Sequence, residues 1–450
     1  MFLDAMNVSS LTIALPAIQS DLGLDTNIAQ WVLSGYTVAF GGLLLLGGRV
    51  TDVLGRRRTL VAGLALLAVG SIGAGMSSGA VTLIVFRVVA GAGAALVAPA
   101  SLSSLVTYFS SPRARARAIA AYSVTGAMGF GIGLALSGVL TNIDWRLTLL
   151  VPGALALLAG GLTAFVVPAD APYRDRIRRR FDIWGATTAT AGLLLLVFAV
   201  TSFATAGTGI LALATGVVGA ALLVLFVSIE RRGADPLLPL PLLRVGIVGT
   251  ANVLAAFWAA ASIGWQFVAS LYLGSELGFS PLHAGLALLP LAVAIVVTQT
   301  VAVRLIAARG PALTGVLGMT LQALGIAWFL VAIATGSYLV GILPGLLLHG
   351  IGNGLAFPTF FTGATQDVPD DRQGIASALV NTSVQVGSGL GVAILAAILT
   401  STASIGVRGF VTAIVVATLF SLAGATTVLV GLRRRHNLTR PAAGVASERN

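Results

Sequence analysis

Long apolar runs, parted by short turns rich in arginine or glycine, recur along the whole chain. They fall near 2–18, 31–49, 59–77, 81–108, 117–140, 146–167, 183–203, 208–229, 246–273, 284–304, 312–334, 338–364, 373–399 and 408–431. A helix of about 20 residues crosses a hydrocarbon layer about 30 Å thick, and most of these runs are that long. Hydrophobicity is continuous within them rather than alternating, which predicts helices and not a barrel. The pattern therefore predicts an all-α polytopic membrane protein with about fourteen transmembrane helices. The first run opens almost at Met1 with no basic residue ahead of it, so that helix is expected to be short or to continue upstream. Pro16 and several polar residues interrupt its apolar stretch too early for a signal peptide.

Two breaks divide the series. One runs from Pro168 to Asp182, and the other from Glu230 to Arg244 (ERRGADPLLPLPLLR). Two runs lie between them. Gly91–Pro99 (GAGAALVAP) returns as Gly350–Pro358 (GIGNGLAFP), with glycines and proline in register. RAIAAYSVTGAMGFGIG (117–133) returns as QGIASALVNTSVQVGSG (373–389). The fourth and fifth runs thus reappear as the twelfth and thirteenth. The division expected is a six-helix bundle over 1–167, a linker with two inserted helices over 168–245, a second six-helix bundle over 246–432, and a tail over 433–450. Duplicated halves around a central site are a common plan of secondary transporters.

Composition sharpens this picture. The chain is 57% hydrophobic and 9% charged, against about 25% charged in soluble proteins. Its net charge of +11 would suggest nucleic acid in a soluble chain. Here all 26 basic residues are arginine. Apart from Arg87, Arg146 and Arg408 they sit in alternate connections and the tail: GRRR (55–58), RARAR (113–117), RDRIRRR (174–180), ERR (230–232) and RRR (433–435). That bias places those connections and both termini in the cytoplasm, across a cell's inner (plasma) membrane, and removes nucleic acid as a partner. There is no cysteine, and His283, His349 and His436 are far apart, so no metal or cofactor is expected. No span carries GxSxG, HExxH or an acid pair, which argues against an enzyme. The tail after Arg433 is too short for a sensor's output domain.

Ionisable residues inside the spans are rare. An arginine at mid-span costs about 2.5–3.5 kcal/mol on insertion scales, so Arg87 needs a partner, a wet cavity or a route to the interface. Asp4 is the candidate partner, and a carboxylate governed by a movable arginine can carry a proton. Asn7 lies three residues after Asp4, on the same face. Asp52, beside Gly48, Gly55 and Arg56, ends the second run; there it can meet the positive N-terminus of a facing helix and close a cytoplasmic gate. Gly129, Gly133 and Gly138 suit close packing or bending of the fifth helix. Trp31, Tyr36, Trp258, Trp265, Gln266, Asn353, Asn381 and Gln385 put aromatics and amides into apolar spans, as a cavity for bulky, mostly apolar ligands requires.

The order of motifs resembles the major facilitator superfamily, in its fourteen-helix drug:proton antiporter branch. GRVTDVLGRRRT (48–59) is similar to the signature loop between helices 2 and 3, and QWVLSGYTVAFGGLLLLGG (30–48) to the helix before it. RVVAGAG (87–93) is similar to the helix-4 motif whose arginine is linked to proton transfer, and LTIALP (11–16) to the end of the helix-1 motif. DWRLTLLV (144–151) and FDIWGA (181–186) resemble the starts of helices 6 and 7. The chain departs from the pattern in two places. Counting back from Pro16, the acidic position of helix 1 holds Asn7, with Asp4 one turn earlier. In the helix-5 antiporter motif, Leu134 stands for the proline and Ser137 for the first closing glycine, while Gly133 and Gly138 remain.

The expected function is proton-coupled export of hydrophobic or amphipathic small molecules by alternating access. Its partners are a small-molecule substrate, protons and the lipid bilayer, and the protein is expected to be a monomer. The alternatives are a uniporter or importer of the same fold, or a non-transporting membrane sensor.

Overall fold

The computed structural model describes residues 1–108, 112–168, 183–203, 208–232, 240–369, 373–401 and 407–438. Among them are fourteen α-helices. The first six are α1 (Phe2–Leu22), α2 (Thr26–Leu54), α3 (Arg56–Gly75), α4 (Ala80–Tyr108), α5 (Pro112–Ile143) and α6 (Leu147–Val166). A pair follows, α7 (Ile183–Phe203) and α8 (Gly209–Arg232). The last six are α9 (Val248–Leu271), α10 (Pro281–Arg309), α11 (Pro311–Thr335), α12 (Leu343–Thr365), α13 (Gln373–Ser401) and α14 (Val407–Leu438). Ten helical stretches are long and apolar enough to cross a membrane by length and composition. α1 is not among them. Asp4, Asn7, Ser9, Ser10 and Thr12 interrupt it, on a stretch that is largely buried against other helices.

Local signals explain several ends. The Asp25 carboxylate accepts the Ile28 N–H at 2.8 Å and starts α2. Ser280 and Pro281 start α10 in the same manner. Gly23 ends α1 in the left-handed conformation, φ +62°. The α2–α3 hairpin turns on Gly55 at φ +97°, which a residue with a Cβ rarely adopts.

Packing repeats at an offset of eight helices. α3 packs on α4 as α11 packs on α12, α2 on α4 as α10 on α12, α1 on α5 as α9 on α13, and α3 on α6 as α11 on α14. The main contacts between the sets are α2 with α13 and α5 with α10, which exchange under the same offset. The repeated glycines have matching neighbours. Gly91 of α4 abuts Tyr36 and Ala39 of α2, and Gly350 of α12 abuts Leu291 and Ala294 of α10. α7 packs on α8, α2 and α13.

The apolar core is joined at one end and divided at the other. Near the α1–α2 turn, one cluster spans both sets, from Leu11, Leu15 and Val32 to Trp265, Leu288 and Leu395. Toward the arginine hairpin the core splits. Tyr36, Phe40, Leu64 and Ala94 pack within the first set, and Leu254, Trp258, Phe360 and Val380 within the last. Hydrogen bonds across the sets keep to the joined region and its edge. Ser270 donates to the Thr12 carbonyl, Thr400 to Asn27 Oδ1 at 3.1 Å, and Ser34 to the Gly389 carbonyl at 3.2 Å.

Candidate functional site

Arg87 lies about two turns into α4 and is wholly buried, so its chain does not snorkel to an interface. The crossing of α4 and α2 places it. Gly91 lets the backbones meet at Tyr36, and one turn back Arg87 Nε donates to the Val32 carbonyl at 2.9 Å. Arg87 Nη1 donates to Asn7 Oδ1 at 3.1 Å, and its Cζ stands 4.4 Å from the centre of the Tyr36 ring. A cation over an aromatic face is attracted by the ring quadrupole. The Tyr36 hydroxyl donates to Asp4 Oδ1 at 2.7 Å. Asn7 anchors its own amide by donating to the Leu3 carbonyl at 3.0 Å.

The direct partner of Arg87 is therefore Asn7, where the sequence had pointed to Asp4. Among the described residues the ion pairs of Arg146 are formed, and none joins Asp4 to Arg87. The carboxylate and the guanidinium communicate through Tyr36, which meets one with its hydroxyl and the other with its ring. Tyr36, expected in a substrate cavity, is engaged by this cluster.

The other expected cavity residues scatter. Trp31 leans on Phe198 of α7, with ring centres 6.4 Å apart. Asn381 donates to the Ser377 carbonyl of its own helix at 3.3 Å, and Gln385 lies against Gly41 at the α2–α13 contact. Trp258 packs on Phe357 and Phe360. Three of them converge in the last set. Asn353 Nδ2 and Gln266 Nε2 both donate to Ser262 Oγ, at 2.7 and 3.4 Å. Trp265 lies 4.6 Å from the His349 ring, and His349 Nε2 is 3.3 Å from the same Ser262 Oγ. Ser262 and His349 escaped the sequence reading. The histidine was weighed there as a metal ligand, although it is the one ionisable residue of its helix. A cavity of about 380 Å³ opens within the first set, lined by Met1, Phe2, Asp4, Phe40, Ala94 and Leu155 among others. None of the scattered aromatics and amides lines it.

At the hairpin, Arg56 Nε donates to Ser103 of α4 at 2.8 Å, and Arg57 donates to the Ala164 carbonyl of α6. These contacts tie the hairpin to its own set. Gly48 faces Pro99 of α4. The Asp52 side chain lies outside the described residues, as do those of Arg113, Arg115, Arg117, 174–180 and the tail. In α5, Gly129 and Gly133 sit against Phe2 and Met6 of α1, and Gly138 meets Pro281 and Leu282 of α10 across the sets. Leu134 is buried, and Ser137 donates to the Ser10 carbonyl.

A helical membrane bundle with twofold repeated packing, and with an acid, a phenol and a guanidinium linked in one half, is built as a transport protein. The chain belongs to the Major Facilitator Superfamily, which it matches over residues 1–392. It is 36% identical over 393 residues to the puromycin resistance protein pur8 of Streptomyces alboniger, covering 86% of this chain and 77% of that one. It is 35% identical over 408 residues to the cephamycin export protein CmcT of Amycolatopsis lactamdurans, covering 88% and 82%. A bacterial homolog of the human lysosomal transporter Spinster has the same fold, with a TM-score of 0.67 at 16% identity over 98% of this chain and 96% of that one. The chain is a multi-pass membrane transporter of small molecules, with a transport role rather than a catalytic one.

Proposed function

We propose that the protein exports hydrophobic or amphipathic small molecules, antibiotics among them, in exchange for protons. Two six-helix lobes, 1–167 and 246–432, rock about a central crevice with α7 and α8 as an inserted pair, as in the fourteen-helix branch. The arginine-rich end faces the cytoplasm of a cell whose inner membrane holds the protein as a monomer, so the divided core belongs to an inward-facing state. The names of two relatives, one a resistance protein and the other an export protein, support the direction.

The observation that carries proton coupling is the chain Asp4–Tyr36–Arg87–Asn7 on three helices of one lobe. Protonation of Asp4 alters its bond with Tyr36, and through the ring the setting of Arg87 between α1, α2 and α4. Reconstituted vesicles with an imposed pH gradient test this, with puromycin as the probe. Uptake into inverted vesicles should follow the gradient, and Asp4→Asn should lose the gradient-driven part while keeping counterflow. Unchanged gradient-driven uptake in Asp4→Asn would remove Asp4 from the mechanism. The amide at Asn7, where the resemblance expects an acid, favours uniport as the second reading. Wild-type transport indifferent to the gradient would establish it.

A further inference from the structure

The last lobe holds a buried titratable group that the mechanism above leaves idle. His349 of α12 is fully buried, as are Ser262 and Trp265 of α9. Hydrogen-bond accounting fixes its form. A serine hydroxyl has two acceptor lone pairs and one donor hydrogen. Ser262 Oγ receives Asn353 Nδ2–H and Gln266 Nε2–H, so its own hydrogen goes to the remaining neighbour, His349 Nε2. The ring is then neutral and carries its hydrogen on Nδ1, a buried atom with no hydrogen-bond partner. A buried donor without an acceptor is rare in native proteins and calls for an explanation.

We propose that His349 is a second proton-binding site of the transport cycle, and that a proton on its Nε2 releases the Gln266 amide from Ser262. Once the lobes rock and water reaches this layer, a hydronium gives its proton to Nε2; the new N–H bond forms as the hydronium O–H bond breaks. Nε2 then becomes a donor, and the Ser262 hydrogen must turn away. Three donors now compete for two lone pairs. Gln266, the longest contact, is displaced, and its amide becomes free for substrate. Nδ1–H, orphaned in the state described, supplies the imidazolium's second donor to the entering water.

Little else nearby can take over this titration. α9, α11, α12 and α13 carry no other Asp, Glu, Lys, Arg, His or Tyr. The turn that continues α9 brings Tyr272, packed on Phe329 and Phe410, and Glu276. The turn before α12 brings Tyr338, which donates to the Ala287 carbonyl. α10 brings His283, Arg304 and Arg309, all exposed. From the other lobe α1 brings Asp4, engaged by Tyr36, and Asp21, beside Arg146 at the far end.

The inference rests on proton coupling and adds a site to it, so its test reads the ring directly. The full chain, with its three histidines labelled with ¹⁵N, is placed in lipid nanodiscs, and His349→Gln assigns the signal. The Nδ1–H neutral pattern should dominate near about pH 8 and give way to imidazolium toward about pH 5. Over that range His349→Gln should flatten the dependence of transport rate on pH, leaving the part that Asp4 carries. Ser262→Ala should mix the two neutral tautomers while His349 still titrates. A ring that stays neutral throughout, with and without puromycin, would overturn the proposal, and so would an unaltered pH profile in His349→Gln. If that variant does not fold, the wild-type spectra decide. A wild type that ignores the gradient would remove coupling, and the spectra would still tell whether His349 takes a proton.

Discussion

Gly93 of α4 and Gly352 of α12 stand 259 residues apart and make the same crossing. One abuts Gly63 and Leu67 of α3, the other Gly318 and Gln322 of α11. By that offset, the position of Arg87 is held in the last lobe by Leu346, and the position of His349 is held in the first lobe by Ala90; all four are fully buried. Duplication kept the small residues that set how closely helices approach, because a change there moves whole backbones. It did not keep the polar groups, because a single side chain can change inside an unchanged crossing. The first lobe gathers an acid, a phenol and a cation. The last gathers amides, a hydroxyl and an imidazole, one turn further along its helix.

The largest effect should come from Arg87 and its counterpart. Arg87→Ala strips the donors from Asn7 Oδ1 and the Val32 carbonyl. A hydrogen bond to a charged group contributes about 1.5–3 kcal/mol, so gradient-driven transport per folded molecule should fall more than about tenfold. Arg87→Lys should restore little, since an ammonium lacks the planar fork that reaches both acceptors. Leu346→Ala should do the opposite. It opens a cavity and costs about 2–5 kcal/mol of stability, yet the molecules that fold should transport at the wild-type rate. Initial rates, normalised to folded protein, separate the two. Equal rate losses at both positions would mean that the lobes do not divide the chemistry.

Next come the crossings. A methyl group on Gly93 would come within 2.8 Å of Leu67 Cα and the Gly63 carbonyl oxygen, and one on Gly352 within 2.8 Å of Gln322 Cα and 2.5 Å of the Gly318 carbonyl oxygen. Overpacking of this kind costs about 1–3 kcal/mol. Gly93→Ala and Gly352→Ala should therefore lower the thermal midpoint by similar amounts. A clear inequality would show that the two crossings differ in tightness despite their shared sequence.

The same contrast explains what could be read from the chain alone. The helices follow from apolar length, and the matched neighbours of Gly91 and Gly350 follow from the repeat, since both depend on backbone and small residues. Asp4, Asn7 and Arg87 stand out because charge is so rare in these spans. Their connection did not stand out. Only the rotation of α2 about its axis shows that Tyr36 lies between acid and cation, and that Trp31, one turn and a half earlier, looks instead at α7. Asn381 and Gln385 are one turn apart on α13 and yet diverge, one bonding back to its own helix and the other wedged at Gly41. Spacing along a helix gives a shared face, and packing alone decides what that face meets. His349 escaped because a metal site was the only role considered for it.

The smallest effect should come from the far end of the first lobe. There, beyond the apolar stretch of α1, Asp21 accepts the Trp145 indole N–H at 2.9 Å and pairs with Arg146 at 3.2 Å. The indole bond, the largest effect, holds the Asp21 carboxyl below its ordinary range; burial opposes it, and Arg146 adds to the lowering. A carboxylate whose pKa is lowered by folding stabilises the fold above the unfolded value, about 3.9, and that contribution disappears as pH falls through the lowered one. The pair is exposed, and exposed pairs contribute little. Asp21→Asn should thus lower the thermal midpoint by no more than about 2 °C near neutral pH, and the difference from wild type should close toward about pH 3. At the matching end of the last lobe Tyr272 stands against Phe410, with ring centres 5.3 Å apart. Tyr272→Leu removes this contact, and the resulting loss should be the same at acid and neutral pH. A pH-dependent loss there, or a pH-independent one at Asp21, would show that the far ends of the lobes do not share the division seen at their centres.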